Sequence, residues 1–198
     1  MKLRYVNGYK IRQTLDPEFS IIHYHNPDFT YYDFKWYIPE DEIWFDSKFK
    51  GEEKFLQKIL LADLRDREEA RKFCKKGKAP DFVVKEETKD GLKIQYVDGK
   101  IVREYIDPEF VFGGHDLVYS YVPKETIWID DIMDPKDIPH TLIHEIYERN
   151  LINKGKSYDV AHDYATAKEK ESRREAGGVY TGDVNHVEEF SLKKYYVG

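Results

Sequence analysis

Met1 to Phe19 reads MKLRYVNGYKIRQTLDPEF, and Leu92 to Phe110 reads LKIQYVDGKIVREYIDPEF. Nine of the 19 aligned positions are identical, at a constant offset of 91 residues. The echo returns where Tyr37-Ile38-Pro39 and Ile43-Trp44-Phe45-Asp46 answer Tyr121-Val122-Pro123 and Ile127-Trp128-Ile129-Asp130. There the offset is 84, so the later copy is seven residues shorter in between (91 − 84). Order, spacing and the rare Trp are kept together, which implies an internal duplication.

Each copy opens in the manner of a β-hairpin. Asn7-Gly8 and Asp98-Gly99 stand between β-rich runs, and this residue pair favours a tight turn with positive φ. Asp-Pro-Glu-Phe then breaks the second strand. An aromatic segment follows, over 29–38 in the first copy and 118–122 in the second, and then a short strand, 42–45 or 126–129. The expected class is α+β: antiparallel strands followed by helices, twice over. Residues 1–78 form the first repeat, without a site. Residues 79–91 are a linker, and 92–198 form the second repeat with the site.

The helical parts differ between the copies. Gly51 to Lys76 reads as one charged amphipathic helix, with Phe55, Ile59, Leu60, Leu64 and Phe73 among its apolar residues, ended by Gly77 and Pro80. In the second copy Pro139 to Asn153 is helical, with Pro139 in the first turn. Gly155 suits a C-terminal cap, and Ser157 an N-terminal one for a helix reaching about Glu175. Such an αα-hairpin brings residues of its two helices within reach of one another.

The composition narrows the function. With 32 Lys+Arg against 38 Asp+Glu, the formal charge over 198 residues is 32 − 38 = −6. That balance argues against a general nucleic-acid binder, which needs a basic surface for phosphates. Aromatic residues make up 15% of the chain, which points to a folded, β-containing protein despite 35% charged residues. The charge-rich composition fits a thermophilic source. No stretch nears the roughly 18 apolar residues that span a bilayer. Residues 1–8 are charged and lack a signal core, so the expected location is cytoplasmic, away from membranes. The single cysteine, Cys74, reads as a small buried residue.

Chemistry concentrates at His140-Thr141-Leu142-Ile143-His144-Glu145-Ile146-Tyr147-Glu148-Arg149. At about 100° per residue, His140, His144 and Glu148 form one stripe of the helix. His144 and Glu148 can present an imidazole nitrogen and a carboxylate oxygen to one ion, with Glu145 flanking it. The next helix offers His162 and, two turns later, Glu169, which reads as a surface charge in Lys168-Glu169-Lys170-Glu171. His140 reads as a first-turn cap or surface residue. At the offset of 84, His144, Glu145 and Glu148 correspond to Leu60, Leu61 and Leu64. One copy thus has ligand-type residues where its sister has leucines. The competing reading of His144 and Glu148 is a hydrogen-bonded i,i+4 pair on a helix surface.

His144-Glu145-Ile146-Tyr147-Glu148 resembles a His-Glu-x-x-Glu variant of the zincin metallopeptidase helix. Glu125 to Asp130 resembles the edge strand that borders a zincin cleft. The wider pattern, Gly113-Gly114-His115, Val122 to Asp130, His144-Glu145 with Glu148-Arg149, and Tyr158 with Ala161-His162, resembles phage- and mobile-element-type proteins. The resemblance covers about a third of the chain, 111–173. It implies that His144, Glu148 and His162 hold zinc, or iron or manganese, and that Glu145 is the general base acting on a peptide or protein substrate. His115, Tyr158 or His140 would then hold the oxyanion. Glu148 and His162 both depart from the usual ligand set. The alternative is a non-catalytic interaction protein of a virus or mobile element.

Trp44 and Trp128 read as core residues. His23 and His25 share a strand face without an acidic partner, and His186 has no evident partner.

Overall fold

Neither Asn7-Gly8 nor Asp98-Gly99 turns a hairpin. In the computed structural model, which describes residues 1–25, 37–62, 67–178 and 192–197, each dipeptide opens a short helix. The chain divides into two compact units, Met1–Leu61 with Ala176–Gly198, and Ala62–Glu175.

In the first unit, β1 (Lys2–Val6) runs into α1 (Gly8–Thr14), β2 (Ile22–Tyr24) and β3 (Glu42–Asp46). Asn7 caps α1, its Oδ1 accepting from the Lys10 N–H at 2.9 Å. The short polar side chain that suits a tight turn suits an N-cap equally well, so the local signal fits both structures. Gly8 is required for close approach rather than for positive φ, because a Cβ there would collide with the Asp46 carboxylate. The sheet order is β1-β3-β2, with β1 parallel to β3 and β2 antiparallel to it. Parallel neighbours need a crossover, and α1 with β2 supplies it. Along the outer edge of β1, Tyr196 bridges Val6, and the Asn7 N–H donates to the Tyr195 carbonyl at 2.7 Å.

After β3 come α2 (Glu53–Leu60) and α3 (Arg67–Arg71) in place of one helix from Gly51 to Lys76. Past α3, the chain turns through N–H bonds from Lys72, Phe73 and Cys74 to carbonyls three residues back. Tighter i,i+3 bonds of this kind close a helix rather than extend it. Leu60 is half-buried and Leu61 exposed, while Leu64 lies outside the described residues, as do most of 29–38 and His186.

The second unit holds β4 (Val83–Lys89), β5 (Leu92–Val97), α4 (Gly99–Tyr105), β6 (Gly113–His115) and β7 (Thr126–Asp130). Its sheet order is β4-β5-β7-β6, with β5 parallel to β7 and the outer strands antiparallel to their neighbours. Three expectations change here. Residues 79–91 are not simply a linker, since they contain the exposed strand β4. β7 is not an edge; it lies between β5 and β6, and β6 is the edge. The sheets are mixed rather than antiparallel. Asp98 caps α4 through the Ile101 N–H at 3.2 Å, and a Cβ on Gly99 would strike the Asp130 carboxylate.

Arg and Asp residues at matching places make the same buried pair in each unit. Arg12 meets Asp46 at 3.0 Å and the Phe19 carbonyl at 3.1 Å. Arg103 meets Asp130 at 2.6 Å and the Phe110 carbonyl at 3.2 Å. All four side chains are buried, as are Trp44 and Trp128 at the centres of the two cores.

The second unit continues into α5 (Ile138–Asn153) and α6 (Tyr158–Glu175), which pack on each other, with α5 also lying against β6 and β7. Gly155, at φ +88°, ends α5: its N–H bonds to the Ile152 carbonyl at 2.8 Å and the Lys156 N–H to that of Leu151 at 3.1 Å. That pair of bonds defines a Schellman cap. Among the described residues, no helix is long and apolar enough to cross a membrane.

Candidate metal centre

Glu148 gathers three imidazoles from three elements. Its Oε1 lies 3.0 Å from His115 Nε2 on β6. Its Oε2 lies 2.8 Å from His162 Nδ1 on α6 and 3.6 Å from His144 Nε2, one turn back on α5. The ligand-type atoms of His144, Glu148 and His162 all lie within 4.8 Å of one another. His144 and His162 stand edge to face, with ring centroids 4.9 Å apart.

A second group, His115 with Glu145 and Glu148, satisfies the same distance limit. Hydrogen bonding separates the two. The Leu117 N–H donates to His115 Nδ1 at 3.2 Å, so Nε2 carries the ring proton and donates to Glu148 Oε1. His115 therefore has no lone pair to offer an ion, and no ring N–H left for an oxyanion. The fully buried His115 holds one Glu148 oxygen and leaves the other facing His144 and His162. At His144, Nδ1 faces Glu169 Oε2 at 3.0 Å, which leaves Nε2 turned toward Glu148.

The donor set suits a divalent ion. Two imidazole nitrogens and a carboxylate oxygen, with room for a fourth partner, are what a catalytic zinc uses, and iron or manganese accept the same donors. Ligands at roughly 2.0–2.2 Å from a tetrahedral ion stand about 3.4 Å apart. The 3.6 Å between His144 and Glu148 matches that spacing. The 2.8 Å between His162 and Glu148 is a hydrogen bond that must open slightly to admit an ion. His162 can open it, since its side chain is 42% exposed against 5% for Glu148.

Charge within the site is strongly coupled. Burial opposes ionisation of Glu148, yet His115, His144 and His162 overcome it and hold the carboxyl far below its usual range. Burial likewise opposes a charged His144, but Glu148 and Glu169 outweigh it and raise the imidazole to about 10. Glu169 is lowered to about 2, with His144 and Arg173 overcoming its burial. Glu145 goes the other way. Burial raises it to about 8, against the pull of His144 and with the push of Glu148 and Glu169. Among the described residues no hydrogen bond reaches the Glu145 carboxyl. Glu145 presses against Gly113, where a Cβ would come within 2.9 Å of its Oε1.

The other sequence candidates fall at varying distances from this centre. Tyr158, 45% exposed, stacks on His162 with centroids 5.5 Å apart. His140 is buried rather than exposed, and its Nδ1 meets Ser172 Oγ at 2.8 Å. Burial, then Arg173, lowers its pKa. His23 pairs with Ser20, and His25 with the Ile38 carbonyl. Cys74 is half-buried, and burial followed by Asp107 raises its thiol pKa, the opposite of an activated nucleophile.

Sequence reasoning misplaced Glu169 and missed its partners. Glu169 is a half-buried neighbour of His144, and it bonds Arg173 Nε at 3.0 Å and Nη2 at 2.7 Å. Arg173 in turn reaches Asp137 at 2.6 Å. The available signal was the seven-residue step from His162 to Glu169, which at 3.6 residues per turn puts both on one helix face.

No protein-family model, curated protein or solved structure matches the chain.

Proposed function

We propose that this chain is a metal-dependent hydrolase acting on peptide bonds, with His144 Nε2, Glu148 Oε2 and His162 Nδ1 as ligands and Glu145 as general base. One observation carries the reading: a buried carboxyl that no hydrogen bond reaches among the described residues stands beside a converging set of two imidazoles and a carboxylate. A bound divalent ion supplies Lewis acidity there, lowering the pKa of water toward neutrality and polarising a carbonyl. Glu145 takes the proton from the attacking water at a carboxylate oxygen and returns it to the leaving amine. The cation's charge also draws the Glu145 pKa down from its metal-free position, toward the ionised form that a base requires. The missing side chain of Gly113 leaves the space beside this carboxyl open, since a Cβ there would come within 2.9 Å of Oε1.

The peptide bond as substrate rests on the likeness of His144-Glu145-Ile146-Tyr147-Glu148 to a zincin helix. The edge strand β6 is itself buried and offers no open edge for an added strand. We further infer that the two halves arose by duplication, the second copy keeping a site on its zincin-like αα-hairpin and the first becoming scaffold. The shared strand–helix–strand–strand order and the repeated Arg–Asp pair support this.

One observation favours a non-catalytic interaction protein instead. The hydrogen-bond network closes without an ion, with charged His144 lodged between Glu148 and Glu169. Metal analysis of untagged protein separates the two readings. About one zinc, iron or manganese per chain, lost in both His144→Ala and His162→Ala, supports the hydrolase. Glu145→Gln should keep the metal and lose peptide hydrolysis; turnover retained in that variant rules out the assigned base.

A further inference from the structure

We propose that Glu169 is a positioning residue of the metal centre, fixing His144 as an Nε2 ligand, and that Arg173 and Asp137 hold Glu169 in turn. This rests on the metal reading above.

Both Glu169 oxygens are already committed, which sets it apart from the ligands. Oε2 sits 3.0 Å from His144 Nδ1, on the side of the ring away from Glu148. Oε1 receives Nε and Nη2 of Arg173, at 3.0 and 2.7 Å. Arg173 spends Nη1 on Asp137 at 2.6 Å. Arg173 and Asp137 are fully buried, so the chain from α5 through α6 to the imidazole is shielded from solvent.

That arrangement does two things for His144. The acceptor at Nδ1 keeps a proton on that nitrogen, so the proton given up on metal binding is the one on Nε2, and the freed lone pair faces Glu148 and His162. The trio of one guanidinium and two carboxylates carries a net negative charge, which polarises the Nδ1–H bond and makes Nε2 a more basic donor. The helix geometry provides both functions at once. His162 and Glu169 are seven residues apart on α6, so one face of that helix offers a ligand at one level. Two turns on, it offers the orienting group for the ligand on α5.

The test uses the whole chain labelled with ¹⁵N-histidine. Zinc affinity is measured by chelator competition, and the tautomer of His144 by long-range ¹H–¹⁵N spectra. The wild type should take up one zinc, with His144 protonated at Nδ1 and coordinated at Nε2. Glu169→Gln, which keeps the size and one acceptor but removes the charge, should bind zinc about 10–100-fold more weakly. A merely structural partner of Arg173 would instead lower the melting temperature and leave the zinc affinity of the folded protein unchanged. Affinity within twofold of wild type in Glu169→Gln therefore overturns the proposal while leaving the metal centre standing. Coordination of His144 through Nδ1 in the zinc-loaded wild type overturns it as well, and needs no variant that folds. A wild type that takes up no zinc overturns both this role and the metal reading.

Discussion

The strand order β1-β3-β2 of the first unit and β5-β7-β6 of the second are built alike, yet the helices that follow them differ. Each sheet buries an Arg–Asp pair, caps a short helix with Asn or Asp, and centres its core on a Trp. After β3 come the short helices α2 and α3; after β7 comes the long hairpin of α5 and α6. The shared parts hold the two sheets and their short helices together, whereas the proposed ligands lie on the part that differs. Scaffold and chemistry are therefore separable in this chain, and the comparison can be attacked at either level.

The largest effect should come from the buried pairs. Asp46→Ala and Asp130→Ala each leave a buried guanidinium without its carboxylate, which costs about 3–5 kcal/mol. Urea unfolding of the two variants should give similar losses. A loss confined to one of them breaks the equivalence of the two scaffolds.

Next in size is the response to metal. Zinc at a hundred times its dissociation constant should stabilise the wild type by about 2.7 kcal/mol. His144→Ala and His162→Ala should abolish that gain, whereas Leu60→Ala, at the matching place in the first copy, should leave it intact. Thermal unfolding with and without zinc reads the difference.

A third effect, read per pH unit, is visible only through pH. In the metal-free protein Glu145 is raised to about 8 from its ordinary 4.5, so between those values the folded state binds more protons than the unfolded state. Its contribution to stability therefore falls as pH rises through that window, by up to about 1.4 kcal/mol per pH unit. Glu145→Gln removes this loss, so its stability relative to wild type should climb from pH 5 to pH 8 without metal. A difference that stays flat with pH contradicts a buried, proton-holding Glu145. The helix caps should matter least. Asn7→Ala and Asp98→Ala should each cost about 1 kcal/mol, and equal costs sharpen the match between α1 and α4.

Much of this was legible in the sequence where one residue serves one structural purpose. Trp44 and Trp128 marked core positions, while Pro139 and Gly155 marked the ends of α5. The i,i+4 step from His144 to Glu148 foretold a shared face, and His162 arrives at it from the next helix. Legibility failed where one residue type suits two structures. Asn7-Gly8 fits a hairpin turn and a helix start equally, and the reason residue 8 is Gly here is a distant one: the Asp46 carboxylate occupies the space a side chain would need. Parallel pairing of β1 with β3 depends on residues 40 positions apart, such as Leu3 and Ile43, and has no local mark. Glu169 was hidden by the charged run around it, because burial is decided by the partner helix and not by neighbours in the chain.

The convergence of a strand and two helices on the Glu148 carboxylate bears on how variants of this protein can be read. In a library randomised at both positions and screened only for folded protein, position 148 should tolerate little, since most replacements leave the fully buried His115 without its acceptor. Position 162, with its ring half in solvent, should accept many residues under the same screen. Intolerance at 148 is thus uninformative about chemistry, and a bias toward histidine at 162 would be the trace that selection for activity leaves behind.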